Sequence, residues 1–265
     1  MIRPFVGIAL VALLAACSKH EAPAPGPAKL PVLPDSITNQ LGNVGLAIAI
    51  DLKGLEAANL ADLAPADPPC MRRILESARL GALTQSGATW QGYIAGVDPA
   101  ATRACVTEFA SRAGLTVKDH GTGFELDLAA TPAVFQWQGD LALITQGQEP
   151  PHAGEPASAI YDLLRNVPRT AKGWFVSLGI PAYKMRNIVA WLDLHSDSFQ
   201  ITLQFDSMTQ DEAGVEAARV VESFKAAARG NGVKVEDSWF DIKSTPTAAT
   251  VVAKLPIAAF GAAAK

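Results

Sequence analysis

The chain has 265 residues, with 22 Lys or Arg against 26 Asp or Glu, a formal charge of −4. That mild acidity, without a clustered basic stretch, excludes the electrostatic footprint of a nucleic-acid binder. Hydrophobic residues make up 49% of the chain, enough for one large core or two small ones.

In chain order the first element is a targeting signal. Arg3 supplies a positive start, Phe5 to Ala16 a short apolar run, and Leu14-Ala15-Ala16-Cys17 its end. The run falls short of the roughly 20 residues that span a bilayer, and the small alanines suit entry of an extended backbone into a signal peptidase. With cysteine next in line, the pattern resembles the bacterial lipobox. The resemblance implies that Cys17 is the lipid-attachment residue, acylated by chains such as palmitate, and the first residue of the mature chain. Several acyl chains anchor firmly because each buried methylene contributes about 0.8 kcal/mol. A plain secretory signal, with a cysteine at the cut by coincidence, is the alternative. Ser18 stands where enteric bacteria place Asp for inner-membrane retention, so the implied site is the inner leaflet of the outer membrane, facing the periplasm. Cleavage after residue 16 leaves 249 residues, and the loss of Arg3 leaves 21 basic residues against 26 acids, a formal balance of −5.

Residues 17–36 form a Pro-rich tether, too dense in proline to bury a core. A second Pro-rich stretch, 147–157, separates a first module at 37–146 from a second at 158–265. In each module a strand (Val44 to Leu52; Lys172 to Ile180) precedes a hairpin. The first hairpin pairs Leu80–Gln85 with Thr89–Gly96, the second Ile188–Leu194 with Phe199–Asp206. The first module adds a helix from about Cys70 to Leu80. A longer helix follows each hairpin. The first is capped by Asp98 and Pro99 and stopped by Gly114, with Ala101, Cys105 and Phe109 on one face. The second takes Thr209 and Glu212 as a capping box and ends at Gly230, with Ala217, Ala218, Val221, Phe224 and Ala228 as its stripe. Strands at Gly114–Val117 and Gly232–Val235 close the pattern. Between the modules, Ser158 to Val167 reads as an amphipathic helix with Ile160, Leu163, Leu164 and Val167 inward. The class is therefore α+β, two similar modules, each an antiparallel sheet with helices packed on one face in a split-βαβ manner, arising by tandem duplication. One larger α+β domain is the alternative.

The periplasm implied by the lipobox is oxidising, which makes Cys70 and Cys105 a candidate disulfide. Such a bridge closes a loop of about 36 residues and stabilises by about 4 kcal/mol in the chain-entropy model. Two separate buried thiols are the alternative.

Chemistry-bearing patterns are sparse. His20 and His152 sit in Pro-rich stretches, His120 and His195 in turns, and none has a partner at metal-ligand spacing. No nucleophile elbow, phosphate loop or dinucleotide motif is present, and His195-Ser196-Asp197-Ser198 crowds triad residue types onto one turn. Asp206, Asp211 and Glu212 gather at a strand–helix junction, where acids ordinarily complement the helix dipole. No catalytic, metal or cofactor residues are assigned. Trp90, Trp137, Trp174, Trp191 and Trp239 fall in strand-like runs and read as core or cross-strand partners.

In layout the chain is similar to alanine-rich bacterial lipoproteins with an α+β body. The expectation is a non-enzymatic, membrane-tethered binding or interaction module, for an apolar ligand or an envelope protein partner. The alternatives are a periplasmic hydrolase whose site assembles from distant residues, with Asp206 near His195 as one pairing, and a structural subunit of an envelope complex.

Overall fold

Period-two alternation of apolar and polar residues builds most of this protein, and every strand pair described is antiparallel. The structure, a computed structural model, describes residues 44–56, 69–128, 131–147, 159–230 and 232–261. These belong to two units divided between Ala157 and Ser158. The signal, the tether and nearly all of the 147–157 stretch lie outside the described residues. Mostly antiparallel sheet with a few helices, the chain is of the α+β class.

The first unit runs β1 (Leu46–Ile50), α1 (Leu52–Glu56), α2 (Pro69–Ser77), β2 (Leu80–Ser86), β3 (Thr89–Ala95), α3 (Pro99–Ala113), β4 (Thr116–His120), β5 (Gly123–Asp127), β6 (Ala133–Gln138) and β7 (Leu141–Gln146). Its strand order is β1-β2-β3-β7-β6-β5-β4. The expected split-βαβ arrangement is not found. β2 pairs directly with β1, and β7 returns beside β3, so neither connection is a parallel crossover. At Gly123 a close approach dictates the residue: a Cβ there would stand 1.8 Å from the Phe135 carbonyl oxygen.

Helix α3 forms where its caps place it. The Asp98 carboxylate accepts from the Ala101 amide at 2.7 Å, Pro99 opens the first turn, and Gly114 closes the helix with φ 69°. Its buried stripe is Thr102, Cys105, Val106 and Ala110, whereas Ala101 is exposed and Phe109 half-buried. The stripe turns this way because Val106 and Ala110 pack with Phe124, Leu126, Ala133 and Phe135 beneath the C-terminal half of the helix. Phe124 and Phe135 stack with ring centroids 4.5 Å apart. Cys105 instead faces α2 and is bonded to Cys70, their Cα atoms 5.4 Å apart, amid Ile74, Ala78, Val97 and Ala142.

The second unit runs α4 (Ala159–Leu164), β8 (Gly173–Ile180), β9 (Met185–Leu194), β10 (Ser198–Ser207), α5 (Ala213–Gly230), β11 (Phe240–Ser244), β12 (Ala248–Pro256) and α6 (Ile257–Gly261). Its order is β11-β12-β10-β9-β8. Ile201, Leu203 and Phe205 alternate inward along β10, opposite Ala253, Val251 and Ala249 of β12, and α5 covers that face. The helix buries Ala217, Val220, Val221, Phe224 and Ala228. Ala218 is exposed and Val220 takes the expected inward place.

Two expectations in this unit are corrected. Helix α5 starts at Ala213, so Glu212 precedes it directly and Thr209 does not cap it; the Thr209 amide is taken by Ser207 Oγ at 3.1 Å. The strand expected at Gly232–Val235 is irregular chain, and Trp239 lies in a 3₁₀ turn (Asp237–Trp239). Lys225 explains the displacement. Its Nζ lies 2.6 Å from both Asp237 and Glu222 and 5.6 Å from the Phe240 ring centroid, which binds the turn to α5 and delays the strand to Phe240.

The disulfide closes most of a helix–hairpin–helix segment, so Cys70→Ala/Cys105→Ala is expected to lose about 2–4 kcal/mol of unfolding free energy. Urea titration of the oxidised protein against the double variant measures this, and matching midpoints would refute it.

Candidate functional site

In the second unit the sheet face opposite α5 carries a groove of about 730 Å³. Its floor follows from strand register. Val189 lies opposite Gln204, Gln204 opposite Thr250, and Thr250 opposite Lys243, so one row of side chains crosses four strands on one face. Helix α4 forms a wall with Asp162, Leu163 and the following Asn166. Ile160, Leu164 and Val167 are buried and pin that helix over β8 and β9, while Leu163 is half-buried and turned to the groove. Ser244 and Thr245 at the β11–β12 turn form the far rim.

One end of the floor is shaped by a β-bulge. The β9–β10 register runs Val189↔Gln204 and then Arg186↔Asp206, so Asn187 and Ile188 together oppose Phe205. Asn187 takes φ 49°, a conformation that asparagine tolerates better than branched residues do. Its Nδ2 donates to Asp206 Oδ2 at 2.9 Å, which fixes a carboxylate and an amide side by side at the groove.

The charges around the groove are largely offset nearby. Asp162 pairs with Arg165 at 3.2 Å, and Lys243 with Asp241 at 3.3 Å. Asp206 faces Arg186 across the strand pair, although among the described residues no ion pair joins them.

The residues singled out by sequence are dispersed. Cys17, His20 and His152 lie outside the described residues, and Cys70 and Cys105 meet in the first unit. His120 ends β4, 3.6 Å from the Glu125 carboxylate on the surface. His195 begins the β9–β10 turn, its amide donating to the Ser198 carbonyl, while Ser198 Oγ donates to Asp197. Asp206 sits at the opposite end of β10, about 25 Å away at the rise of an extended strand, so it and His195 share no pocket. Glu212 is taken by Lys184 Nζ at 2.7 Å. Among the described residues no three His, Cys, Asp or Glu side chains group as metal ligands. Trp174 and Trp191 are buried cross-strand neighbours, Trp137 packs in the first unit's core, and none of the three lines the groove.

Sequence reading missed Asn187 and the row beneath α4. One signal was available: Arg186-Asn187 places two polar residues together where strand alternation calls for one, the mark of a bulge.

No protein-family model and no curated protein matches the chain. Solved structures of TP0453 are similar to it. Crystal form III matches with a TM-score of 0.51 at 7% identity, over 85% of this chain and 96% of that one. Crystal form I gives 0.47 at 7% identity over 85% and 94%, and form IV 0.42 at 10% over 82% and 90%. At such identity the form III likeness concerns the fold alone. No helix among the described residues is long and apolar enough to cross a membrane.

Two measurements check this geometry. Asn187→Gly should leave stability within about 0.5 kcal/mol, whereas Asn187→Val should cost about 1–3 kcal/mol by forcing a branched residue into the left-handed region. Equal urea midpoints for the two variants would refute the bulge. The hydrogen bond from Lys184 holds the Glu212 carboxyl below its ordinary range. The pair's stabilising contribution is therefore full above the unfolded carboxyl pKa and fades as pH falls through the folded value. A carbon-detected NMR titration should place the Glu212 midpoint lower than in Lys184→Ala, and coincident midpoints would refute the pairing.

Proposed function

We propose that this chain is a lipid-anchored, periplasm-facing envelope protein whose second unit is a non-enzymatic module for binding a small ligand. Two observations support the reading. Leu14-Ala15-Ala16-Cys17 after a short apolar run supplies the acylation signal, and Ser18 favours the outer membrane. The groove beneath α4 carries the binding half of the proposal, because its volume lies within the range of about 300–1,000 Å³ common to small-molecule sites. Its side chains are amides, hydroxyls, two carboxylates and the Lys243 ammonium on a partly apolar floor, and no histidine or cysteine stands among them.

We further infer that the two units descend from one repeated module. Each lays down a three-stranded meander, then a long helix, then strands whose last member pairs with the third strand of the meander. On this reading β4 to β7 correspond to β11 and β12, with one extra hairpin in the first unit.

Metabolic labelling with radioactive palmitate tests the anchor. The wild-type chain should incorporate label and fractionate with the outer membrane, and Cys17→Ala should do neither. Label on both proteins, or an unlabelled wild type released in shock fluid, would overturn the proposal.

A further inference from the structure

The groove's side chains point to one class of ligand, an inference that rests on the binding role proposed for the second unit. We propose that it binds a neutral saccharide. Asp162 and Lys243 both border the groove, yet each has an opposite charge beside it, Arg165 and Asp241 respectively. Asp206 is not ion-paired with Arg186 across the strand pair; the neutral Asn187 amide holds it instead. An anionic ligand would therefore meet no unpaired cation among the lining residues.

Hydrogen-bonding capacity is instead two-way. Asn166, Asn187 and Gln204 line the groove with amides, and Thr250 with a hydroxyl. Each of these groups both donates and accepts, as a sugar hydroxyl does. Asp206 adds a half-buried acceptor at the bulge. Asn187 Nδ2 already donates to one of its oxygens, and the carboxylate keeps lone pairs with which to accept from a sugar hydroxyl. The apolar part of the lining (Leu163 and Ala248) offers a surface for the C–H face of a pyranose ring. An acyl chain would leave the amides and the carboxylate desolvated without partners, which is costly. An open groove of this volume suits a short oligosaccharide.

The test uses the mature chain, residues 17–265, carrying Cys17→Ser to keep it in solution, and reads the side-chain amide resonances of Asn187 and Gln204 by NMR. The probes are three neutral trisaccharides (maltotriose, cellotriose and N-acetylated chitotriose) and three six-carbon probes: hexylamine, hexanoate and hexanol. At least one trisaccharide should shift both sets of resonances and saturate. Raising salt from about 0.05 M to about 0.5 M should leave that affinity unchanged, since no net charge is brought together. Asp206→Asn, which keeps the shape but loses the charged acceptor, should weaken binding about tenfold. Asp197→Asn, with the same charge change at the far hairpin, should not weaken it. Shifts from hexylamine, hexanoate or hexanol without any from the trisaccharides would overturn the saccharide inference and leave the binding role standing. If none of the six probes moves these resonances, both fall together.

Discussion

A sheet has two faces, and among the described residues the second unit has one long helix with which to cover them. Helix α5, eighteen residues long, lies along the apolar face of β10, β12 and β11 and satisfies it. The opposite face is left to α4, which is six residues long and reaches over β8 and β9. The remainder of that face keeps polar alternates, because residues without an apolar cover must tolerate water. Gln204, Asp206 and Thr250 on the uncovered side, against Leu203, Phe205 and Val251 on the covered one, are the two halves of a single alternation. The groove is thus the uncovered portion of a sheet rather than a hole opened in a core.

The first unit meets the same requirement differently. Helices α2 and α3 lie together over a cluster of Ile74, Ala78, Val97, Ala142 and the cystine itself, with Leu52, Ile94 and Trp137 packed against it. The covalent link between Cys70 and Cys105 adds to that packing a restraint on the unfolded chain. Farther along α3 the contact becomes aromatic, through Phe124, Phe135 and Trp137, and there no covalent link is needed. A polar cluster also sits within this sheet. Tyr93 Oη donates to Gln91 at 2.8 Å, and burial pushes its phenol up to about 12, so it stays a neutral donor across the physiological range.

The elements that sequence reading placed well are those whose signals are local. Asp98-Pro99 and Gly114 bound α3 because capping involves atoms within one turn. The hairpins at Leu80–Ala95 and Met185–Ser207 follow from alternation and turn residues that lie next to each other. Errors arose where a distant partner decided the outcome. Val233 to Val235 look like a strand, but Lys225 holds the neighbouring Asp237 and postpones pairing to Phe240. Thr209 and Glu212 have capping-box spacing and share a side-chain hydrogen bond, yet Ser207 takes the Thr209 amide, Lys184 binds Glu212 and the helix starts later. Ala218 matched the stripe as well as Val220 did, and the packing of α5 against β11 and β12 chose between them. The groove was the least legible feature, since Val189, Gln204 and Thr250 are dispersed over some sixty positions and share a row through strand register alone.

By itself the sequence determined the mixed helix-and-sheet class, the positions of most strands and the caps of α3, all consequences of short-range periodicity and of backbone groups seeking nearby partners. It also offered Cys70 and Cys105 as a pair without fixing their distance. Tertiary structure alone decided that these two sulfurs meet, that β7 and β12 return beside β3 and β10, and that one sheet face stays partly open. Those outcomes depend on which residues distant in the chain lie opposite one another, and a one-residue change of register would turn every side chain of a strand to the other face.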